Sequence, residues 1–142
     1  MTDIQIAEAH LEGHAICICK DGEWATADGK GVSNMLKFIA EGKDLKGASV
    51  ADIVVGKAAA MLFVKAGVAC VYGKVTSVEG KRYLESHGVE NQCGELVENI
   101  LNRFGTDICP MEKTVAQIDD AEDGYLALRL KAEELKRLAE SN

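Results

Sequence analysis

The chain has 142 residues, 47% of them hydrophobic and 27% charged, and its 16 basic and 23 acidic side chains give a formal net charge of −7. Length and composition are typical of one globular domain, which we place over residues 1–142. The acidic balance, without a basic stripe, argues against nucleic acid as a partner. No run approaches the roughly 20 apolar residues of a membrane span, and the amino terminus does not resemble an export signal. We therefore expect a cytoplasmic protein that does not bind membranes.

The five cysteines are an odd number and include no CxxC pair. In a chain without an export signal this pattern predicts reduced thiols. Cys17 and Cys19 are two residues apart in a predicted strand, so they share a face. Because free cysteine is commonly buried, we interpret the pair as core residues.

The first third of the chain predicts a helix, a hairpin and a second helix. Its main signals are a Thr2-Asp3 cap, an Asp-Gly turn between two apolar runs, and a Ser33 cap. The elements expected are a helix ending before Gly13, strands over 14–20 and 23–27, and a short helix from Ser33 to about Gly42.

The central apolar stretch predicts a buried helix. Ser49-Val-Ala-Asp52 has the character of a capping box, and Gly67 provides a stop after Ala66. Because the stretch is apolar nearly all round, we expect it to lie in the middle of the protein.

The second half of the chain predicts two strands and four helices, mainly from caps, glycine stops and apolar spacing. In chain order they are a buried strand over 68–72, a helix capped by Ser77 and ending at Gly88, a short strand over 89–93, a helix over 96–104, a helix starting at Pro110, and a helix over 120–139.

Lys57 is the one ionisable residue in the apolar run from Ile53 to Val64, and it directly follows Gly56. Burying an ammonium group without a partner is costly, so the amine must reach water, a carboxylate such as Asp52, or a ligand. A lysine whose stem lies along the core is the simpler interpretation. The functional one is that Gly56 admits a ligand to the backbone while Lys57 meets its anionic or carbonyl group.

Cys109 directly precedes the predicted helix that begins with Pro110 and contains Glu112. The positive end of a helix dipole favours a thiolate, so Cys109 could be a nucleophile or line a ligand site. No histidine is close to it in sequence, and a buried thiol beside a helix start is the common structural case.

Two motifs together, Asp52-Ile-Val-Val-Gly-Lys-Ala-Ala-Ala60 and Asp107-Ile-Cys-Pro-Met-Glu112, resemble an uncharacterised prokaryotic family assigned to the cytidine deaminase-like fold. The resemblance covers nearly the whole chain. It implies an α/β fold, a three-layer α-β-α sandwich with a mixed sheet, and a pocket at the starts of two central helices.

The zinc deaminases of that superfamily carry His-x-Glu at the first of these helices and Pro-Cys-x-x-Cys at the second. Here the first position reads Gly56-Lys-Ala-Ala59 and the second begins Thr76-Ser-Val-Glu-Gly80, so both motifs are missing. We expect no zinc site and no other cofactor, because nothing would lower the pKa of a bound water.

The leading hypothesis is a zinc-free, deaminase-like protein that binds a small anionic, polar or nucleotide-like ligand at the helix starts. Two alternatives stay open. One is an enzyme with Cys109 as nucleophile, in which Lys57 lowers the pKa of the thiol and Glu112 handles protons. The other is a non-catalytic structural or interaction module that forms a homo-oligomer. Fold analogy locates a site without assigning chemistry. The predicted ligand-binding residues are Asp52, Gly56, Lys57, Ser77, Arg103, Cys109 and Glu112.

Overall fold

The computed structural model describes residues 1–141, and within them one five-stranded sheet carries the fold. The strand order is β2-β1-β3-β4-β5; β1 is antiparallel to both of its neighbours, and β3, β4 and β5 are parallel. The strands are β1 (Ile16–Lys20), β2 (Glu23–Ala27), β3 (Ser49–Val55), β4 (Cys70–Ser77) and β5 (Glu90–Val97). The helices are α1 (Asp3–Ala9), α2 (Ser33–Ala40), α3 (Lys57–Ala66), α4 (Val78–Ser86), α5 (Pro110–Val115) and α6 (Ala121–Glu140).

The two faces of the sheet are covered unequally. On one face α1 packs over a small apolar cluster that includes Ala7, Leu11, Cys17 and Cys19. On the other face the remaining helices build the main core, with α3 at its centre. The predicted α/β sandwich with a mixed sheet is therefore confirmed, and so is the burial of Cys17 and Cys19.

Helix α3 is the central helix of the main core. All six residues from Ala58 to Phe63 are buried, and Gly67 ends the helix in the left-handed conformation with φ +78°. Small alanines in its first turns let neighbouring elements approach closely, and larger side chains follow. The predicted central, buried helix is thus correct from Lys57 onwards.

The prediction that this helix begins at Ser49 is wrong. Residues Ser49–Val55 form β3, which pairs with β1 on one side and β4 on the other. An apolar run that is buried on both faces does not distinguish a strand from a helix by periodicity. The β-branched residues Val50, Ile53, Val54 and Val55 favour the strand, and the chain turns into a helix only after Gly56.

The prediction of a helix over 96–104 is also wrong. Leu96 and Val97 complete β5, and a loop follows in which Leu101 and Ile108 form an isolated bridge. The side-chain oxygen of Asn102 accepts hydrogen bonds from the backbone N–H groups of Phe104 and Thr106, at 3.2 and 3.1 Å. Asparagine that bonds to nearby backbone favours a turn over a helix, and this local chemistry outweighed the apolar spacing.

The carboxyl ends of β3 and β4 lie at one end of the sheet. Since β3 leads into α3 through Gly56, and β4 leads into α4 through Ser77, both helices begin at this end. These are the two helix starts at which the family resemblance implies a pocket. Within residues 1–141 no helix has the length and apolar character required to cross a bilayer.

Candidate functional site

The start of α3 is capped by a side chain from another helix. Gly56 is the N-cap residue and offers no side-chain acceptor. The carboxylate of Glu112, on α5, accepts hydrogen bonds from the backbone N–H of Lys57 at 2.7 Å and of Ala58 at 3.1 Å. Two of the donors that a helix start leaves without partners are thereby satisfied, and the negative charge lies at the favourable end of the dipole.

Glycine at position 56 is required by this contact. A Cβ added there would overlap the carboxylate of Glu112. A second glycine, Gly80 on α4, lies against the same turn, since its Cβ would come within 2.9 Å of the Val55 carbonyl oxygen and of the Gly56 carbonyl carbon. The backbone at Gly56 is therefore enclosed by Glu112 and α4.

The amine of Lys57 is bound at the far end of α5. It donates to the backbone carbonyl oxygens of Val115 at 2.9 Å and Ala116 at 3.3 Å. A cation at a helix carboxyl end is favourable, because the last carbonyl groups lack partners. The two helices thus cap each other: Glu112 of α5 closes the start of α3, and Lys57 of α3 closes the end of α5.

Burial raises the pKa of the Glu112 carboxyl above its ordinary value. The two backbone N–H donors and the charge of Lys57 act in the opposite direction and only partly compensate. Glu112 is therefore a carboxyl group held in a largely dehydrated position by two directed hydrogen bonds.

Asp52 is a buried carboxyl group in the middle of β3. It lies on β3, paired with Ile16 of β1 and Gly73 of β4, and is only 7% exposed. Its hydrogen bond from the backbone N–H of Val54 is long, at 3.4 Å. Burial raises its pKa to about 7, because this N–H and that of Ile53 compensate little. Asp52 consequently changes its protonation near neutral pH.

Ser77, Cys109 and Arg103 occupy three different settings. Ser77 is the buried N-cap of α4, and its hydroxyl accepts from the N–H of Gly80 at 3.0 Å, as predicted for a cap. Cys109 is the N-cap of α5, without a side-chain cap hydrogen bond. Arg103 is exposed in the loop after β5, with its guanidinium over the ring of Phe104.

Direct contacts link part of the predicted set. Gly56, Lys57 and Glu112 contact one another, and Ser77 joins them through Gly80. Asp52 lies four residues before Gly56 on β3, and the guanidinium of Arg103 packs on the ring of its neighbour Phe104. Gly80 was missed by the sequence analysis, although an isolated glycine inside a helix is a recognisable signal of close packing.

No ligand set for zinc is assembled. Among residues 1–141 no three His, Cys, Asp or Glu side chains are grouped closely enough to hold a metal ion. The zinc chemistry of deaminases therefore has no donors to act through in the described part of the chain.

An open groove of about 570 Å³ lies at the opposite end of the sheet, between the β1–β2 hairpin and the loop before β3. The ion pair of Lys20 and Asp44, at 2.9 Å, is part of its wall. None of the seven predicted ligand-binding residues lines this groove.

The fold and the site define an α/β sandwich in which an internal carboxylate caps the central helix. The chain belongs to the family described as domain of unknown function DUF1893, TM1506, whose model matches residues 6–131. This confirms the resemblance to an uncharacterised family. A crystal structure of a DUF1893 family protein from Thermotoga maritima is similar, with a TM-score of 0.73 and 23% identity over 84% of this chain and 80% of that one.

Two deaminases are more distantly similar in structure. One is a diaminohydroxyphosphoribosylaminopyrimidine deaminase/5-amino-6-(5-phosphoribosylamino)uracil reductase from Thermotoga maritima, with a TM-score of 0.45 and 15% identity over 80% of this chain and 40% of that one. The other is the dCMP deaminase of cyanophage S-TIM5, with a TM-score of 0.44 and 16% identity over 67% of this chain and 94% of that one. No curated protein matches the sequence.

Proposed function

We propose that this protein binds a small polar, nucleotide-like ligand at β3, with Asp52 as the group that recognises it. The observation that carries the proposal is the environment of Asp52. A buried carboxyl group normally has several hydrogen-bond donors around it, whereas Asp52 has one long bond from the Val54 N–H. A ligand with N–H groups would supply further donors to this carboxyl group.

The protonation of Asp52 narrows the class of ligand. With a pKa of about 7, the carboxyl is present in both forms at neutral pH. The neutral form donates one hydrogen bond and accepts another, which matches a ring nitrogen next to an amino group. That edge occurs in aminated nucleobases, so the base-like part of a nucleotide is the expected binding partner.

The start of α3 is a less suitable anion site than the sequence alone implies. Its first N–H donors already bind Glu112, and the Lys57 amine binds the carbonyls at the end of α5. The proposal therefore relies on hydrogen bonding to Asp52, with Ser77, Cys109 and Arg103 as further candidate ligand-binding residues.

Catalysis by Cys109 receives no support from Lys57. That hypothesis needs the amine close to the thiol to favour the thiolate, yet the amine is bound to Val115 at the end of α5 opposite to Cys109. Along six helical residues the separation is on the order of 9 Å. Within residues 1–141, no contact supports Cys109 as a catalytic nucleophile in preference to a role in ligand binding.

Isothermal titration tests the proposal against a panel of nucleobases, nucleosides and nucleotides. We expect at least one aminated base to bind, and Asp52→Asn to weaken that binding at least about ten-fold, since an amide cannot present the same donor and acceptor pair. Asp119→Asn, an exposed acid-to-amide change, is the matched control and should leave affinity unchanged. Equal binding by all three proteins, or by none across the panel, would contradict the proposal.

A further inference from the structure

The outer edge of β5 (Glu90–Val97) carries a row of peptide groups without a strand partner. β5 is the last strand of the sheet and pairs with β4 along its length. On its other side it makes no backbone hydrogen bond to any residue between 1 and 141. Such an edge is a template for another strand.

β5 lacks several of the features that usually protect an edge strand, although it carries two charged residues, Glu90 and Glu95. It has eight residues, about 27 Å in length at 3.4 Å per residue, and contains no proline, lysine or arginine. The opposite edge, β2, is three residues shorter. Leu96 on β5 is 49% exposed. The long edge is therefore the better surface for strand addition.

We propose that β5 pairs antiparallel with β5 of a second copy of this chain, around a two-fold axis at Cys93. A second copy is the occupant because the strand is complementary to itself in this register. Glu90 lies opposite the partner's Leu96, Asn91 opposite the partner's Glu95, and Gln92 opposite the partner's Gly94. Each pair occurs twice, and no two carboxylates oppose each other.

The charge pattern favours this antiparallel arrangement over a parallel one. Parallel pairing in register would place Glu90 against Glu90 and Glu95 against Glu95, which is destabilising across neighbouring strands. In the antiparallel register an Asn91 amide can donate to the partner's Glu95 carboxylate.

The first test measures the molar mass of the protein in solution and changes the charges that would face each other across the two β5 strands. By light scattering after size exclusion we expect the wild-type chain to be a dimer at about 100 µM. Asn91→Glu sets two carboxylates opposite each other, so dimer dissociation should become at least about ten-fold more favourable. Adding Glu95→Lys to that variant replaces repulsion with an ion pair and should restore the dimer.

The second test uses Cys93 as a reporter of the axis. Directly opposed residues in antiparallel strands have Cα atoms about 4.5–5.5 Å apart, within the range of a disulfide. In a Cys70→Ser/Cys109→Ser background, diamide should link two chains, and the link should vanish when Cys93→Ser is added. A wild-type monomer at this concentration would overturn the proposal. So would a dimer whose stability is unchanged by Asn91→Glu and whose cross-linking is unchanged by Cys93→Ser.

Discussion

Two carboxyl groups, the half-buried Glu112 and the buried Asp52, differ in what offsets their removal from water. Glu112 accepts two short backbone hydrogen bonds, at 2.7 and 3.1 Å, and so has a clear structural role. Asp52 has one long bond of 3.4 Å. At the scale of single residues, Asp52 is therefore the carboxyl group whose burial the surrounding hydrogen bonds offset least.

Asp52→Asn should stabilise the protein at alkaline pH and have little effect in acid. The pKa of about 7 in the folded protein exceeds the ordinary value of 3.8, so the folded state holds this proton more tightly than the unfolded chain does. The contribution of Asp52 to the free energy of unfolding is fully present below about pH 4 and is lost as the pH rises through 7. The shift from 3.8 to about 7 corresponds to a loss of about 4 kcal/mol. Since Asn does not titrate, the variant does not undergo this loss.

Urea unfolding of both proteins between pH 4 and pH 8 measures this difference. The gap in free energy of unfolding should widen steadily with pH, while the exposed Asp119→Asn change should stay within about 0.5 kcal/mol of wild type. A gap that is constant over this range would show that Asp52 ionises at an ordinary pKa.

At the scale of elements, α3 and α5 hold each other by reciprocal capping. Glu112 reaches the start of α3, and Lys57 reaches the carbonyls of Val115 and Ala116. α5 has only six residues, too few to be stable by itself in water. Its position consequently depends on these two contacts and on its packing against α6.

Gly56→Ala and Glu112→Ala should not be additive. Glu112→Ala leaves two N–H groups of α3 without their acceptor and should cost about 2 kcal/mol. Gly56→Ala should cost a similar amount in the wild type, because the new methyl displaces the Glu112 carboxylate. In the Glu112→Ala background the methyl has space, so its cost should fall below about 1 kcal/mol.

Denaturant unfolding of the two single variants and the double variant measures this coupling. Lys113→Ala, a change on the exposed side of α5, is the control and should have a small effect. Additive costs would mean that the methyl at position 56 meets something other than Glu112.

For the whole molecule, the unequal faces of the sheet predict unequal stability. Among residues 1–141, the cluster beneath α1 has five buried residues, whereas the main core contains twenty-one. Since helical stability comes mostly from packing, α1 should separate from the sheet before the core unfolds.

Native-state hydrogen exchange tests this order of opening. Amides in α1 should exchange with an opening free energy at least about 2 kcal/mol below that of amides in α3, whose exchange should require global unfolding. The capping box at Thr2 protects only the first turn of α1 and should not remove the difference. If α1 and α3 exchange with equal free energies, the two faces form one cooperative unit.

The sequence by itself determined the elements whose signals are local. Thr2 caps α1, Asp21-Gly22 turns the hairpin, Ser77 caps α4, Pro110 starts α5 and Asp120 caps α6. Each signal acts on backbone within a few residues, so the chain needs no distant partner to express it. Membership of an uncharacterised family and the mixed-sheet sandwich could also be predicted, because two motifs carried the resemblance.

Only the tertiary structure decided where β3 ends and which groups meet at α3. The run from Ser49 to Val55 becomes a strand because β1 and β4 flank it, which no local pattern records. Glu112 caps a helix 55 residues earlier, and Lys57 binds carbonyls 58 and 59 residues later. Contacts of such separation depend on how complete elements pack, and the sequence shows the residues without showing that packing.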